Sequence, residues 1–74
     1  MKKLLLYIVE KGDIVVAIKD IPSVKVRANE ALIFVSKIEL GVICLNPKTN
    51  TQLLVPPESI EGIFNGERVP IHFE

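Results

Sequence analysis

Apolar residues come in short blocks along this chain, and turn-forming residues stand between the blocks. Blocks of that length suit strands better than amphipathic helices, which need a helical period sustained over several turns. The clearest pair lies within Gly41 to Pro57. Val42–Leu45 and Leu53–Val55 are apolar runs containing β-branched residues, and Asn46, Pro47 and Asn50 supply the reversal between them. Asn46 can accept a backbone N–H through its side chain, Pro47 presets φ, and Asn50 tolerates the left-handed conformation. Successive strand residues face opposite ways, so Val42 and Cys44 point to one face and Ile43 and Leu45 to the other. Both faces are apolar, which predicts a strand buried inside a barrel or sandwich, or half covered by a second subunit. Pro56 and Pro57 lack amide donors and end the second strand.

The rest of the chain follows the same grammar. Lys3–Val9 reads as a first strand and Ile14–Ile18 as a second, with Glu10–Asp13 as a hairpin loop in which Gly12 takes positive φ. Ile21-Pro22-Ser23 interrupts the pattern. Val24–Arg27 then alternates apolar and cationic residues, as an edge strand would. Ala31–Leu40 leaves two readings open. A helix over residues 30–40 would use Asn29 as its cap and Gly41 as its terminator. The polar residues Glu30, Ser36, Lys37 and Glu39 scatter around a helical wheel, however, and Ile33, Phe34, Val35 and Ile38 prefer strands, so a strand is expected. Pro57-Glu58-Ser59 suits one 3₁₀ turn leading into a strand at Ile60–Phe64. Asn65-Gly66 is the strongest local signal, because both central positions of a type I′ turn need positive φ. Glu67–Phe73 is the returning strand, with Pro70 confining it to an edge or an end of the sheet.

Composition supports this all-β reading of residues 1–74 as a single small domain. Ile and Val occupy nineteen positions against three for Ala, a ratio that favours strands. A chain of 74 residues has a thin stability margin, and its one cysteine, Cys44, rules out an internal disulfide framework. Burial of the 49% apolar content must therefore hold the fold. The same lone cysteine points to a cytoplasmic setting. The opening MKKLLLYIVEKGD imitates a secretory signal, but its apolar run ends at Val9 before Glu10, Lys11 and Asp13, too short for a leader or a membrane span. Net formal charge is zero, which argues against a protein devoted to neutralising phosphates.

The order of elements resembles the SH3-like small β-barrel superfamily over about residues 12–63. The residues that carry the resemblance are a Gly12-Asp13-led strand, a loop with Ile21-Pro22, a Gly41-led strand and turn, and Pro56-Pro57-Glu58-Ser59-Ile60 before a last short strand. The resemblance implies a small SH3-like barrel, to which this chain adds an N-terminal strand and a C-terminal hairpin strand. That fold hosts RNA-binding, peptide-binding and purely structural modules, so it does not fix a function. Peptide-binding SH3 domains use an aromatic-lined groove. Here Tyr7, Phe34, Phe64 and Phe73 are the only aromatics, most of them in core-like runs, which argues against polyproline recognition.

Catalysis has no visible carrier in the sequence. His72 lacks a companion ligand for a metal, and Cys44 sits in an apolar run where burial suppresses reactivity. Glu58 and Glu61 could pair as acid and base, but no nucleophile or oxyanion donor accompanies them, so they read as a solvated turn. No cofactor or small-molecule site is expected. Two binding surfaces are candidates. Leu4, Leu6, Ile8, Ile43 and Leu45 form a candidate apolar interface for a homo-oligomer or for a larger protein that this chain would regulate or inhibit. Lys19, Lys25, Arg27 and Lys37 form a candidate cationic patch that, with Phe34 nearby, could bind RNA or single-stranded DNA. The nucleic-acid reading is similar in outline to KOW-type barrels and, in size and strand content alone, to carbon storage regulator proteins. It is the second choice, since edge lysines also serve to prevent sheet-to-sheet aggregation.

Overall fold

The computed structural model describes residues 7–73. Its strands are β1 (Tyr7–Ile8), β2 (Ile14–Ala17), β3 (Ala31–Ile38), β4 (Gly41–Asn46), β5 (Thr51–Val55), β6 (Ile60–Phe64), β7 (Glu67–Val69) and β8 (Ile71–His72), with 3₁₀ turns at Pro22–Val24 and Pro57–Ser59. Six strands form one antiparallel sheet in the order β5-β4-β3-β2-β6-β7, and β1 pairs with β8 in a small parallel ribbon. The all-β expectation is met, and the stretch for which a helix was the alternative is β3.

Turn chemistry works where it was legible. Asn46 accepts the Lys48 N–H through Oδ1 at 3.0 Å, and Asn50 adopts φ 57° while its N–H donates to the Asn46 carbonyl at 2.7 Å. Asn65 and Gly66 take φ 55° and 81° and join β6 to β7, with Phe64 opposite Glu67. The 3₁₀ turn after Pro56 is closed by Ser59, whose backbone N–H and hydroxyl both donate to the Pro56 carbonyl.

Directly opposed residues share a face of a sheet. Val15 stands opposite Leu32, Phe34 opposite Cys44, and Val42 opposite Val55, and all six are buried, which defines the inner face. Two pieces cover it. The loop from Ile18 to Glu30 contributes Ile21 and Val26, held together by an isolated bridge. The β1–β8 ribbon contributes Tyr7 and Ile71, with Phe73 just beyond it, and the Phe73 ring lies 6.2 Å from that of Phe34, centroid to centroid. The Tyr7 ring occupies the space that any β-carbon on Gly62 would need, so glycine there lets the ribbon reach the sheet. Tyr7 also donates a hydrogen bond of 3.2 Å to Asp13 Oδ2, which accepts the Glu10 N–H as well.

Four expectations need correction. Val24–Arg27 is a tight turn, not an edge strand: Val24 closes a 3₁₀ turn and Lys25 is left-handed at φ 59°, its N–H bonded to the Pro22 carbonyl. The alternation seen there came from Val24 and Val26 turning inward from a loop. Secondly, Glu10–Asp13 turns as expected, with Gly12 at φ 96°, but does not join a hairpin, because β1 pairs with β8 and β2 pairs with β3 and β6. The Lys3–Leu6 part of the expected first strand lies outside the described residues. Thirdly, Glu67–Phe73 is two strands, since Pro70 stops β7 and lets β8 leave for β1. Lastly, the sheet is not closed into a barrel: among the described residues β5 and β7 each have one neighbour. β7 is only three residues long, and after Pro70 the chain leaves it to pair with β1, so β7 offers little edge on which β5 could close.

Candidate interaction surfaces

The outer face of the large sheet is apolar across four or more strands. Ile14 stands opposite Ile33, Ile33 opposite Leu45, and Ile43 opposite Leu54. Ile63 continues this face on β6, next to Gly62, which opposes Val15. Ile14 is 53% exposed, Leu54 41% and Ile63 37%, while Ile33, Ile43 and Leu45 are half-buried by their neighbours. The result is a contiguous apolar stripe running from β5 to β6. Sequence reasoning found Ile43 and Leu45 but missed Ile14, Ile33, Leu54 and Ile63. Period-two alternation outward from the buried Val15 would have marked Ile14; joining the others needs the register between strands.

The remaining candidate interface residues lie elsewhere. Ile8 is exposed on β1 opposite His72, on the ribbon rather than the sheet. Leu4 and Leu6 lie outside the described residues.

The four candidate cations are all exposed and come from different elements: Lys19 follows β2, Lys25 and Arg27 belong to the loop before β3, and Lys37 is on β3. Arg27 lies in the turn before β3 and Lys37 near the strand's far end, and the stretch of β3 from Ala31 to Lys37 alone spans about 20 Å. Arg27 belongs to the turn closed by Glu30, whose Oε1 accepts the Arg27 N–H at 2.6 Å; that bond holds the Glu30 carboxyl below its usual range. Asp20 accepts the Ala28 N–H at 2.8 Å in the same loop. Lys25 caps the first 3₁₀ turn, Lys19 follows β2, and Lys37 donates to the Ile38 carbonyl at 2.8 Å. Phe34, the proposed stacking platform, is buried on the inner face.

Other candidate groups have structural places. Cys44 is fully buried, and burial pushes its thiol up to about 11. His72 is exposed on β8. Glu58 is exposed in the second 3₁₀ turn, whereas Glu61 lies on β6 opposite Val16. No group of three or more His, Cys, Asp or Glu residues that could hold a metal ion occurs among the described residues. No described helix is long and apolar enough to cross a membrane.

A shallow groove of 330 Å³ lies beside the end of β5, lined by Ser23, Leu40, Leu54, Pro56, Pro57 and Glu58 among others. Leu40, at the tip of the β3–β4 turn, is 80% exposed. Gly41 follows it with φ 151° and lies so close to β5 that an added Cβ would stand 2.8 Å from the Val55 carbonyl oxygen. No family model, curated protein or solved structure matches the chain.

Proposed function

We propose that this domain is a non-catalytic protein-interaction module, working as a homo-oligomer or as a small regulatory subunit of a larger protein. The observation that carries the reading is the apolar stripe through Leu54, Ile43, Leu45, Ile33, Ile14 and Ile63. A small domain has little apolar surface to spare, and leaving such a face in water weakens its solubility unless something covers it. An open relative of the SH3-like barrel is part of the proposal. What supports it is the sequence of a strand, a long loop with Ile21-Pro22, a three-strand meander, a proline-led 3₁₀ turn and a strand that returns to the first, as β6 does to β2. The nucleic-acid reading has less behind it, because Arg27 and Lys37 stand apart and Phe34 is buried.

The test uses the whole purified chain in multi-angle light scattering across a wide concentration range, together with pull-down from native extract. Wild type should self-associate or retain a specific partner, and Ile14→Lys with Ile33→Lys should lose any association that covers the stripe while keeping the strand spectrum. A chain that stays monomeric and retains no partner sensitive to these substitutions contradicts the reading.

A further inference from the structure

The two edges of the large sheet are built differently, and β5 lacks the usual guards. Sheet edges are protected by charges, prolines, bulges or brevity. Thr51-Gln52-Leu53-Leu54-Val55 carries no charge and no proline, and its register with β4 runs without a shift from Asn46–Thr51 to Val42–Val55. The Val55 carbonyl oxygen faces β4, as its nearness to Gly41 requires. Backbone groups alternate sides along an antiparallel strand, so Thr51, Leu53 and Val55 bond to β4 while the N–H and C=O of Gln52 and Leu54 point outward. Neither residue's outward groups find a backbone partner among the described residues.

We propose that β5 pairs with β5 of a second copy of this chain, antiparallel about a two-fold axis through Leu53. The proposal rests on the interaction-module reading and names its partner and its register. With Gln52 of one copy opposite Leu54 of the other, each facing pair exchanges two hydrogen bonds, and the symmetric pair repeats them. All four outward N–H and C=O groups are then satisfied on each copy, with none left over. Leu53 meets its own equivalent at the axis, and no like charges meet within the paired strands.

Charge favours the same register. Continuing it past Val55 carries the second copy's Pro47–Asn50 turn toward the groove beside Pro56 and Pro57, where Glu58 is the charged lining residue. Lys48 in that turn has a side chain 77% exposed, and among the described residues its ammonium pairs with Glu30 alone, at 3.4 Å. The two-fold places each copy's Lys48 turn on the side of the other's Pro56–Glu58 segment, and a Lys48–Glu58 attraction there is part of the proposal. Pairing also sets the two outer stripes side by side, with Leu54 of each copy facing Gln52 of the other.

Amide hydrogen exchange, followed by NMR on the full chain from low micromolar to near-millimolar concentration, tests the pairing. The Gln52 and Leu54 amides should exchange freely when dilute and slow by about tenfold or more on concentration, while Leu53 and Val55 stay protected throughout. Gln52→Lys with Leu54→Lys should abolish the concentration dependence without changing the fold, since both side chains are exposed. Lys48→Glu and Glu58→Lys should each weaken pairing, and the double exchange should restore it. Protection of Gln52 and Leu54 at every dilution would put a segment of the same chain on the edge and overturn the proposal. A chain that self-associates while these two amides remain open overturns the pairing but leaves the interaction-module reading intact. Strict monomers with open amides overturn the pairing as well, and then the stripe-directed substitutions decide the broader reading.

Discussion

The large sheet ends in two strands that solve the same problem oppositely. β7 is three residues long, carries Glu67 and Arg68, stops at Pro70, and is tied to the Ile18–Glu30 loop by Arg68, whose guanidinium donates to Asn29 Oδ1 at 2.6 Å. β5 is five residues long, uncharged and regular, with apolar Leu54 on its outer face. A free edge offers main-chain donors and acceptors to any extended strand, so the guards on β7 and their lack on β5 make the molecule asymmetric in where it can associate. The apolar stripe leans the same way, because it starts at β5 and ends before the charged β7.

Substitutions can break this contrast, and the largest effect should come from the guarded side. Gly62→Val drives a side chain into the Tyr7 ring that anchors the ribbon over β6. Overpacking of this kind costs about 1–3 kcal/mol, read as a fall in the thermal midpoint. An unchanged midpoint would mean that the ribbon is not seated on Gly62. Next in size is the turn that delivers β7. Asn65→Ala places a residue with a poor left-handed preference at φ 55°, which should cost roughly 1–2 kcal/mol in denaturant unfolding, whereas Asn65→Gly should cost much less. Equal losses for both would remove positive φ as the reason for asparagine.

Between the edges, Cys44 gives a pH signature. Burial raises its thiol from 9.0 to about 11, so the folded state keeps the proton that the unfolded chain gives up. The sign follows: the contribution is fully present below pH 9.0, declines as pH rises, and is lost by about pH 11. Cys44→Ala should flatten that part of the stability-against-pH curve relative to wild type. Parallel curves would show that the thiol is not shielded in the fold. The smallest effect on folding should come from the unguarded edge: Gln52→Lys should leave unfolding free energy within about 0.5 kcal/mol of wild type. A larger loss would mean that the Gln52 side chain already has a partner within the monomer.

What could be read from the sequence was what local backbone chemistry decides. Asn46 with Asn50, Asn65-Gly66 and the Pro57–Ser59 turn each depend on φ preferences carried by one or two residues, and each formed where expected. The strand at Ala31–Ile38 was legible because β-branched and aromatic residues there defeat a helical stripe. Burial of Cys44 followed from its apolar run. Features that depend on distant partners were not legible. Nothing near Tyr7 announces Ile71 as its parallel neighbour, and nothing near Leu54 says that its strand has an open side. The apolar stripe is a property of cross-strand register, so Ile14, Ile33, Leu54 and Ile63 joined Ile43 and Leu45 only once the strands were aligned. Val24–Arg27 misled for a related reason: alternation identifies residues that face inward, and a loop pinned by an Ile21–Val26 bridge turns its valines inward as a strand would.

Sedimentation velocity of the full chain over a wide concentration range, with each edge altered in turn, addresses the contrast most directly. Wild type should shift from monomer to dimer as concentration rises, Gln52→Lys with Leu54→Lys should remain monomeric, and Glu67→Lys on β7 should dimerise as wild type does. Dimers that survive lysines on β5, or that vanish when only β7 is changed, would contradict it.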